Sequence, residues 1–130
     1  MSLALASLGS GSRGNATLIR SPNALLLVDC GFTIKETERR LQILGHQPQD
    51  LDAILVTHEH SDHIKGVGPF ARKYKIPVYL THGTGQYHGL NNVANLHQIN
   101  IQRAFSIAGI EVTPVAVPHD AREPCQFVFR

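Results

Sequence analysis

The sequence predicts an α/β fold, in which buried strands alternate with helices along the chain. An uninterrupted apolar run at residues 24–28 is typical of a strand that is buried on both faces. A helical segment lies between Thr33 and Gly45, and a second apolar run follows it at residues 53–56. Strands separated by helices in this way indicate layered α/β packing.

The length and composition are those of one globular domain. At 130 residues the chain can bury a core, and its apolar fraction of 42% and charged fraction of 17% are ordinary. The net charge of +2 neither favours nor excludes nucleic acid as a partner. No apolar run approaches the roughly 18 residues of a membrane span, so we expect no membrane partner. Cys30 and Cys125 form no CxxC pair and fit a reducing cytoplasm, where we expect the protein.

The first strands flank a loop of small residues. Residues 3–8 predict a strand, and residues 9–15 form a Gly- and Ser-rich loop whose glycines match the GxGxxG spacing of dinucleotide-binding folds. Residues 16–19 predict a strand, however, whereas that fold requires a helix after the glycines. We therefore reject a dinucleotide site. A turn at residues 21–23 instead predicts a hairpin between residues 16–19 and 24–28.

Helix boundaries are marked by capping signals. Thr33 and Glu36 have the spacing of a capping box, Glu36 and Arg40 form an i,i+4 pair, and Gly45 supplies the C-terminal stop. A second helix is predicted from Pro69 to about Tyr74. The basic residues around its end, Arg72, Lys73 and Lys75, could contact nucleic acid but are more typical of a solvated face.

Strands dominate the remainder of the chain. We predict them at residues 76–80, at 105–107 and 110–113 as a hairpin around Gly109, at 115–118 and at 126–129. Between residues 81 and 100 the pattern is weak. His82, His88 and His97 lie there without ligand-like spacing, so we predict surface or structural positions for them.

The side chains that carry chemistry are concentrated at residues 58–63, directly after an apolar strand. Side chains alternate on extended chain, so His58 and His60 point to one side and can reach one cation. Asp62 and His63 follow a turn and could face a second cation. Imidazole nitrogen with one carboxylate suits zinc, manganese or iron(II) better than calcium or magnesium. A His-rich solvated loop is the alternative, but four potential ligands after a buried strand favour a metal site.

Residues outside this cluster complete the predicted site. His119 follows another apolar strand and is the natural third imidazole. Three His ligands leave a coordination position open for water, and Asp62 could orient that water or act as a catalytic base. Asp29 ends a buried strand, and we favour support of a metal-bound His over direct ligation. Glu59 lies between two His on extended chain rather than on an HExxH helix, so we do not expect it to be the base.

Residues 57–63 read Thr-His-Glu-His-Ser-Asp-His and resemble the HxHxDH signature of the metallo-β-lactamase-fold hydrolases. The whole chain is similar to the YycJ/WalJ-like branch of that family, chiefly at residues 7–15, 27–31 and 117–124. The resemblance implies a four-layer αββα sandwich, of which this chain covers the N-terminal αβ half. It also implies two divalent metal ions and hydrolysis of phosphodiester bonds, as in a DNA exonuclease. It assigns His58, His60 and His119 to the first metal, and Asp62 and His63 to the second.

One departure from the family pattern affects the second metal. The family usually continues with a bridging Asp and a final His on later strands. After His119 the chain has only Asp120 and Glu123 as acids and no further His, and Asp120 directly adjoins His119, so no bridging ligand is assigned. Too few strands follow for a second sheet and its outer helices. We therefore expect one incomplete domain over residues 1–130, with an exposed apolar sheet face that favours self-association or a complementary C-terminal half.

Three functions remain open at this point. The leading hypothesis is a metal-dependent hydrolase of phosphodiesters with nucleic acid as substrate. Thioester or lactam hydrolysis is an alternative, because metal-activated water serves all of these reactions and the fold does not determine the substrate. The third is a non-catalytic module that binds a metal or a partner through an incomplete site.

Overall fold

Strands and helices alternate along the chain as the sequence predicts. The computed structural model describes residues 2–118 and 120–130. The strands within these ranges are β1 Ala4–Gly9, β2 Ala16–Ser21, β3 Ala24–Val28, β4 Ala53–Leu55, β5 Val78–Thr81, β6 Leu96–Ile99, β7 Phe105–Ile107, β8 Ile110–Ala116 and β9 Cys125–Phe129. The α-helices are α1 Ile34–Ile43, α2 Ser61–Ile64 and α3 Val67–Tyr74.

The described strands form two sheets. The larger one has the order β1-β2-β3-β4-β5-β6, with antiparallel pairing from β1 to β3 and parallel pairing from β3 to β6. The predicted hairpin between β2 and β3 is confirmed, with its register running from Thr17 opposite Val28 to Ser21 opposite Ala24. β7, β8 and β9 form the second, antiparallel sheet.

The prediction that β3 is buried on both faces is confirmed. Leu26 and Leu27 point to opposite faces of the large sheet, and both are fully buried. On one face, Leu27 belongs to a core that includes Leu41 of α1 and Phe70 of α3. On the other face, Leu26 belongs to a core that includes Ile110 of β8. Burial of each such side chain stabilises the fold by about 1.5–3 kcal/mol.

The prediction of an uncovered sheet face is wrong for most of that face. β7 and β8 contribute Ile107, Ile110 and Val112 to a core with residues of β2, β3 and β4, so a second sheet is present. Counting predicted strands could not reveal this, because the contacts are made by side chains from segments that are about 50 to 90 residues apart. Leu5 on β1 is 72% exposed and lies beyond the covered area. No helix follows β6 among residues 100–118 and 120–130.

Two further differences concern β6 and β8. β6 was not predicted; it lies at an edge of the large sheet with mostly exposed residues, so no burial pattern marks it. β8 joins two segments that the sequence predicts as separate strands. Pro114 in its middle is buried and lies opposite Phe127, so the ladder continues through the proline.

The predicted cap of α1 by Thr33 is confirmed, but not as a full capping box, because the described contacts of the Glu36 carboxylate are to Arg39 and Arg40. The Thr33 hydroxyl accepts from the Glu36 amide at 3.2 Å, and Gly45 beyond the helix has a φ of +82°. Glu36 forms an ion pair of 2.6 Å with Arg40. None of the described helices is long and apolar enough to cross a membrane.

The basic residues of α3 serve structural contacts. The Arg72 guanidinium donates to the carbonyls of Gly89 and Asn91, and the Lys73 ammonium pairs with Glu38 of α1 at 2.7 Å. Arg72, Lys73 and Lys75 are exposed, as predicted for a solvated face.

Candidate metal centre

The histidine cluster lies where β4 ends, between the large sheet and the short helix α2. The ring centroid of His58 is 4.6 Å from that of His60 and 4.2 Å from that of His63. His58 is 7% exposed, and His60 occupies the N-cap position of α2 in extended conformation. The structure thus brings together the three imidazoles that the sequence places within six residues.

Asp29 connects these imidazoles to the end of β3. Its carboxylate is 5% exposed and accepts three hydrogen bonds: from the Thr57 amide at 2.8 Å, the Thr57 hydroxyl at 2.7 Å and Nδ1 of His63 at 2.7 Å. Asp29 has a φ of +63°, a left-handed conformation that Asp tolerates better than most residues. The predicted supporting contact between Asp29 and a histidine is therefore present.

This network determines the tautomers of two histidines. Nδ1 of His63 donates to the Asp29 carboxylate, so the lone pair of the neutral ring is on Nε2. The Thr57 hydroxyl gives its single proton to Asp29 and therefore accepts from Nδ1 of His58, at 2.8 Å. His58 likewise carries its lone pair on Nε2. The hydrogen bond to Asp29 is also the main reason why the pKa of His63 is raised.

His60 has the opposite tautomer. Its Nε2 lies 2.5 Å from the carbonyl oxygen of Asp120, which can only accept, so Nε2 carries the proton and Nδ1 carries the lone pair. A metal ion held by His58 and His60 would thus be bound through Nε2 of the first and Nδ1 of the second. The alternation of side chains along extended chain does not reveal this difference.

Asp62 and His63 form the second part of the cluster on α2. The Oδ2 atom of Asp62 lies 3.9 Å from Nε2 of His63. Two ligands of one tetrahedral cation lie about 3.4 Å apart, so a small approach of these two atoms would allow them to share a metal. Asn15 donates from Nδ2 to the same Oδ2 atom at 3.1 Å.

The loop at residues 120–124 is tied to this cluster and to β5. The Glu59 carboxylate accepts from the Arg122 amide at 3.0 and 3.3 Å. The Glu123 carboxylate accepts from the Gly83 amide at 2.8 Å, and its carbonyl accepts from the Thr81 hydroxyl at 2.8 Å. Glu59 thus contacts a neighbouring loop, and its exclusion as the base stays a prediction.

A cleft of about 300 Å³ adjoins the cluster and is lined by Ser10, Asn15, Asp29, Thr57, His58, His63 and Cys125, among others. A larger cavity of about 520 Å³ between α1 and Tyr74 lacks a comparable group of ligating side chains.

Burial raises the pKa of Cys125 to about 12 and also raises that of Cys30. Both thiols are free, and without a bound metal both are protonated at neutral pH.

The donor types fit a divalent transition metal, with imidazole nitrogens and one carboxylate directed to one region. Within residues 2–118 and 120–130, no three His, Cys, Asp or Glu side chains form a group that could hold a metal ion by themselves. The predicted ligand His119 lies outside the described residues. His58, His60, Asp62 and His63 are therefore neighbours, and their assignment as ligands stays a prediction.

Sequence reasoning missed two residues of the site, Thr57 and Asn15, as supports of its side chains. Their only sequence signal is position: Thr57 directly precedes His58, and Asn15 ends the small-residue loop. The remaining histidines behave as predicted. His82, His88 and His97 are exposed; His82 contacts Gln98, and His97 stacks on Tyr79 with centroids 4.6 Å apart.

Comparison with known proteins identifies the family that has this arrangement. Residues 9–122 match the family described as the metallo-beta-lactamase superfamily. The chain belongs to this superfamily. Among curated relatives, it is 38% identical over 128 residues to exodeoxyribonuclease WalJ of Streptococcus pneumoniae, covering 94% of this chain and 48% of WalJ. It is also 38% identical over 133 residues to exodeoxyribonuclease YycJ of Bacillus anthracis, covering 99% and 50%.

Solved structures of the superfamily share the fold. A B3 metallo-beta-lactamase with an active-site glutamic acid aligns with a TM-score of 0.79 at 20% identity, over 96% of this chain and 53% of that protein. Agreement at this identity concerns the fold alone. The chain spans about half the length of the curated relatives it matches.

Proposed function

We propose that this metallo-beta-lactamase-fold chain provides the histidine-rich half of a metal-dependent phosphodiesterase site that cleaves nucleic acid, with DNA as the first candidate substrate. The observation that carries the proposal is the juxtaposition of His58, His60, Asp62 and His63 at the end of β4, with lone pairs set by hydrogen bonds to Asp29, Thr57 and Asp120. The exodeoxyribonucleases WalJ and YycJ, at 38% identity, support this substrate class.

The proposed ligands divide into two groups. His58, His60 and His119 would hold a first divalent cation, and Asp62 with His63 would contribute to a second. Zinc and manganese fit these donors best, with iron as a further candidate. A cation bound there would supply Lewis acidity and lower the pKa of a coordinated water.

The chain's own residues would prepare this site before the substrate arrives. Asp29 and Thr57 hold the rings of His58 and His63 in the tautomers that ligation requires. Asp62, whose side chain is 33% exposed, would orient the attacking water and accept its proton. Glu59 would keep the loop at residues 120–124 next to His60.

The same experiment tests two alternative functions. Thioester or lactam hydrolysis uses the same chemistry, but the likeness to lactamase structures at 20% identity concerns the fold alone. A non-catalytic metal- or partner-binding module is the second alternative, with another copy of this chain or a complementary C-terminal half as the partner. The exposed Leu5 on the sheet face supports such a partner.

The two free, buried cysteines support a cytoplasmic location for the protein.

The test combines metal stoichiometry with cleavage assays. We expect up to two divalent metals per chain, cleavage of bis(p-nitrophenyl) phosphate and DNA, and no turnover of thioesters or lactams. His58→Ala should lower metal affinity and cleavage by about 10²-fold or more, because a ligand is lost from the first metal. His88→Ala, which removes an exposed histidine remote from the cluster, is the matched control. Metal binding without turnover would support the non-catalytic module, and full activity of His58→Ala would refute the ligand assignment.

A further inference from the structure

The small-residue loop between β1 and β2 has a defined structure, and the proposed function assigns it no role. Gly11 and Gly14 have φ values of +119° and +154°, which favour glycine over other residues. The Asn15 side chain closes the loop: its Oδ1 accepts from the Gly11 amide at 3.1 Å, and its Nδ2 donates to the Gly11 carbonyl at 2.8 Å. Nothing in this geometry resembles a phosphate-binding loop that opens a helix.

The same Asn15 amide also contacts the acidic residue of the site. Nδ2 lies 3.1 Å from both Oδ2 and the carbonyl oxygen of Asp62, so its two hydrogens are shared among three acceptors. The backbone amide of Asn15 donates to the Asp62 carbonyl at 2.7 Å. Asn15 therefore contacts both the backbone and the carboxylate of Asp62, from a position 47 residues earlier in the chain.

Close packing leaves this contact little freedom to shift. The Gly31 amide donates to the Asn15 carbonyl at 3.1 Å. A Cβ atom on Gly31 would lie 2.0 Å from the Asp62 carbonyl oxygen and 3.0 Å from the Asn15 nitrogen. The backbones of the loop, the end of β3 and α2 thus touch one another, and the donor on Asn15 is held in place opposite Oδ2.

We propose that Asn15 is a positioning residue that orients the Asp62 carboxylate toward His63, so that the second metal position is formed before a metal binds. Oδ2, the atom that Asn15 holds, is also the one that lies 3.9 Å from Nε2 of His63. The inference rests on the proposed function, because it gives Asp62 and His63 a metal to share. Partners that orient metal ligands typically contribute about 10–100-fold to metal affinity.

Asn15→Asp and Gly11→Ala together separate this role from closure of the loop. In Asn15→Asp the side chain keeps an oxygen that can accept from the Gly11 amide, but a second carboxylate oxygen replaces the donor to Asp62 and to the Gly11 carbonyl. Gly11→Ala is the matched control, since it strains the loop at a φ of +119° without removing the Asn15 donor, and a Cβ there meets nothing within 4 Å.

The first measurement needs neither metal nor activity. Three-bond couplings of the Asp62 Cβ protons should report one rotamer in the wild type and in Gly11→Ala, and averaged rotamers in Asn15→Asp. A single rotamer retained in Asn15→Asp would overturn the inference. If the wild-type protein bound no metal, the proposed function would fail, whereas this measurement would still decide whether Asn15 positions Asp62.

The second measurement is a double-mutant cycle on manganese affinity, titrated at pH 7. Asn15→Asp should weaken the weaker metal site by about tenfold and leave the tighter site within about twofold. In the Asp62→Ala background it should have no further effect, because the two residues then act through one carboxylate. Independent, multiplicative losses, or an equal loss in Gly11→Ala, would contradict positioning and indicate a purely structural role.

Discussion

The two loops that form the candidate site are held in different ways. The loop at residues 56–66 is fixed by buried groups: Asp29 accepts three hydrogen bonds from it, and the Cys30 amide donates to the His63 carbonyl at 2.8 Å. The described part of the second loop, residues 120–124, is held mainly by the carboxylates of Glu59 and Glu123, near the surface. Disturbance of the first loop should therefore affect the fold and the site together, whereas disturbance of the second should affect the site alone.

The largest effect is expected from Asp29→Ala. The change leaves the Thr57 amide, the Thr57 hydroxyl and Nδ1 of His63 without their acceptor in a buried position. Each charged hydrogen bond that is lost costs about 1.5–3 kcal/mol of the free energy of unfolding. Urea denaturation measures the loss. The matched control is Asp52→Ala, since Asp52 accepts only from the Leu25 amide among the described contacts, at 2.9 Å. Equal losses in the two variants would contradict the central role of Asp29.

Gly31→Ala should have the next largest effect. Its Cβ would lie 2.0 Å from the Asp62 carbonyl oxygen, so α2 must move away from the end of β3. Overpacking of this kind typically costs about 1–3 kcal/mol. Thermal unfolding should show a lowered midpoint, and metal affinity should fall as well. Gly85→Ala is the control, because its Cβ would meet Leu80 at an ordinary 3.7 Å. A Gly31→Ala protein as stable as Gly85→Ala would show that α2 can move away from the end of β3 at little cost.

Glu59→Ala tests how the second loop, residues 120–124, is held, and we expect a smaller effect on stability than for the two preceding variants. Loss of the carboxylate removes the acceptor of the Arg122 amide, a contact worth about 1 kcal/mol at a site that is only partly buried. Hydrogen exchange of that amide should accelerate about fivefold, while the unfolding midpoint changes little. Glu59→Gln should restore protection, because its side-chain oxygen can still accept. Unchanged exchange in Glu59→Ala would mean that the loop is held elsewhere.

The smallest effect concerns the support behind the small-residue loop at residues 9–15. Glu36 pairs with Arg40, which lies over the Phe32 ring at 4.1 Å and donates to the Leu8 carbonyl at the base of the loop. Hydrogen bonds from Arg39 and Arg40 lower the pKa of Glu36 from its ordinary value of 4.5 to about 2. Because the folded-state pKa is the lower one, the stabilisation is present above pH 4.5 and is lost as the pH falls toward 2.

This pH dependence can be measured with one variant. The difference in unfolding midpoint between the wild type and Glu36→Gln should be constant at neutral pH and should disappear as the pH falls from 4.5 to 2. Glu111→Gln is the control, since among the described residues the Glu111 carboxylate has only a loose ion pair of 3.8 Å with Arg130. A difference that persists at pH 2 would show that Glu36 acts through packing rather than charge.

Local signals account for the parts of the fold that the sequence predicted correctly. Thr33 and Glu36 mark the start of α1 within one turn, and the apolar run of β3 needs no distant partner to be recognised. The second sheet was not predicted, because it is recognised only by the packing of Ile110 and Val112 against Leu26 and Leu55. No local pattern reports that contact.

The same division applies to the candidate site. The sequence by itself determined which donors are available, since the spacing of His58, His60, Asp62 and His63 is a covalent property that any fold must accommodate. Only the tertiary structure decided which nitrogen of each ring carries the lone pair and which groups hold Asp62. Those features depend on Asp29, Asn15 and Asp120, which lie 34 to 60 residues along the chain from the residues they contact and meet the cluster only through folding. Hydrogen-bond geometry is short-ranged and directional, so it is set by the packed backbone and cannot be derived from spacing.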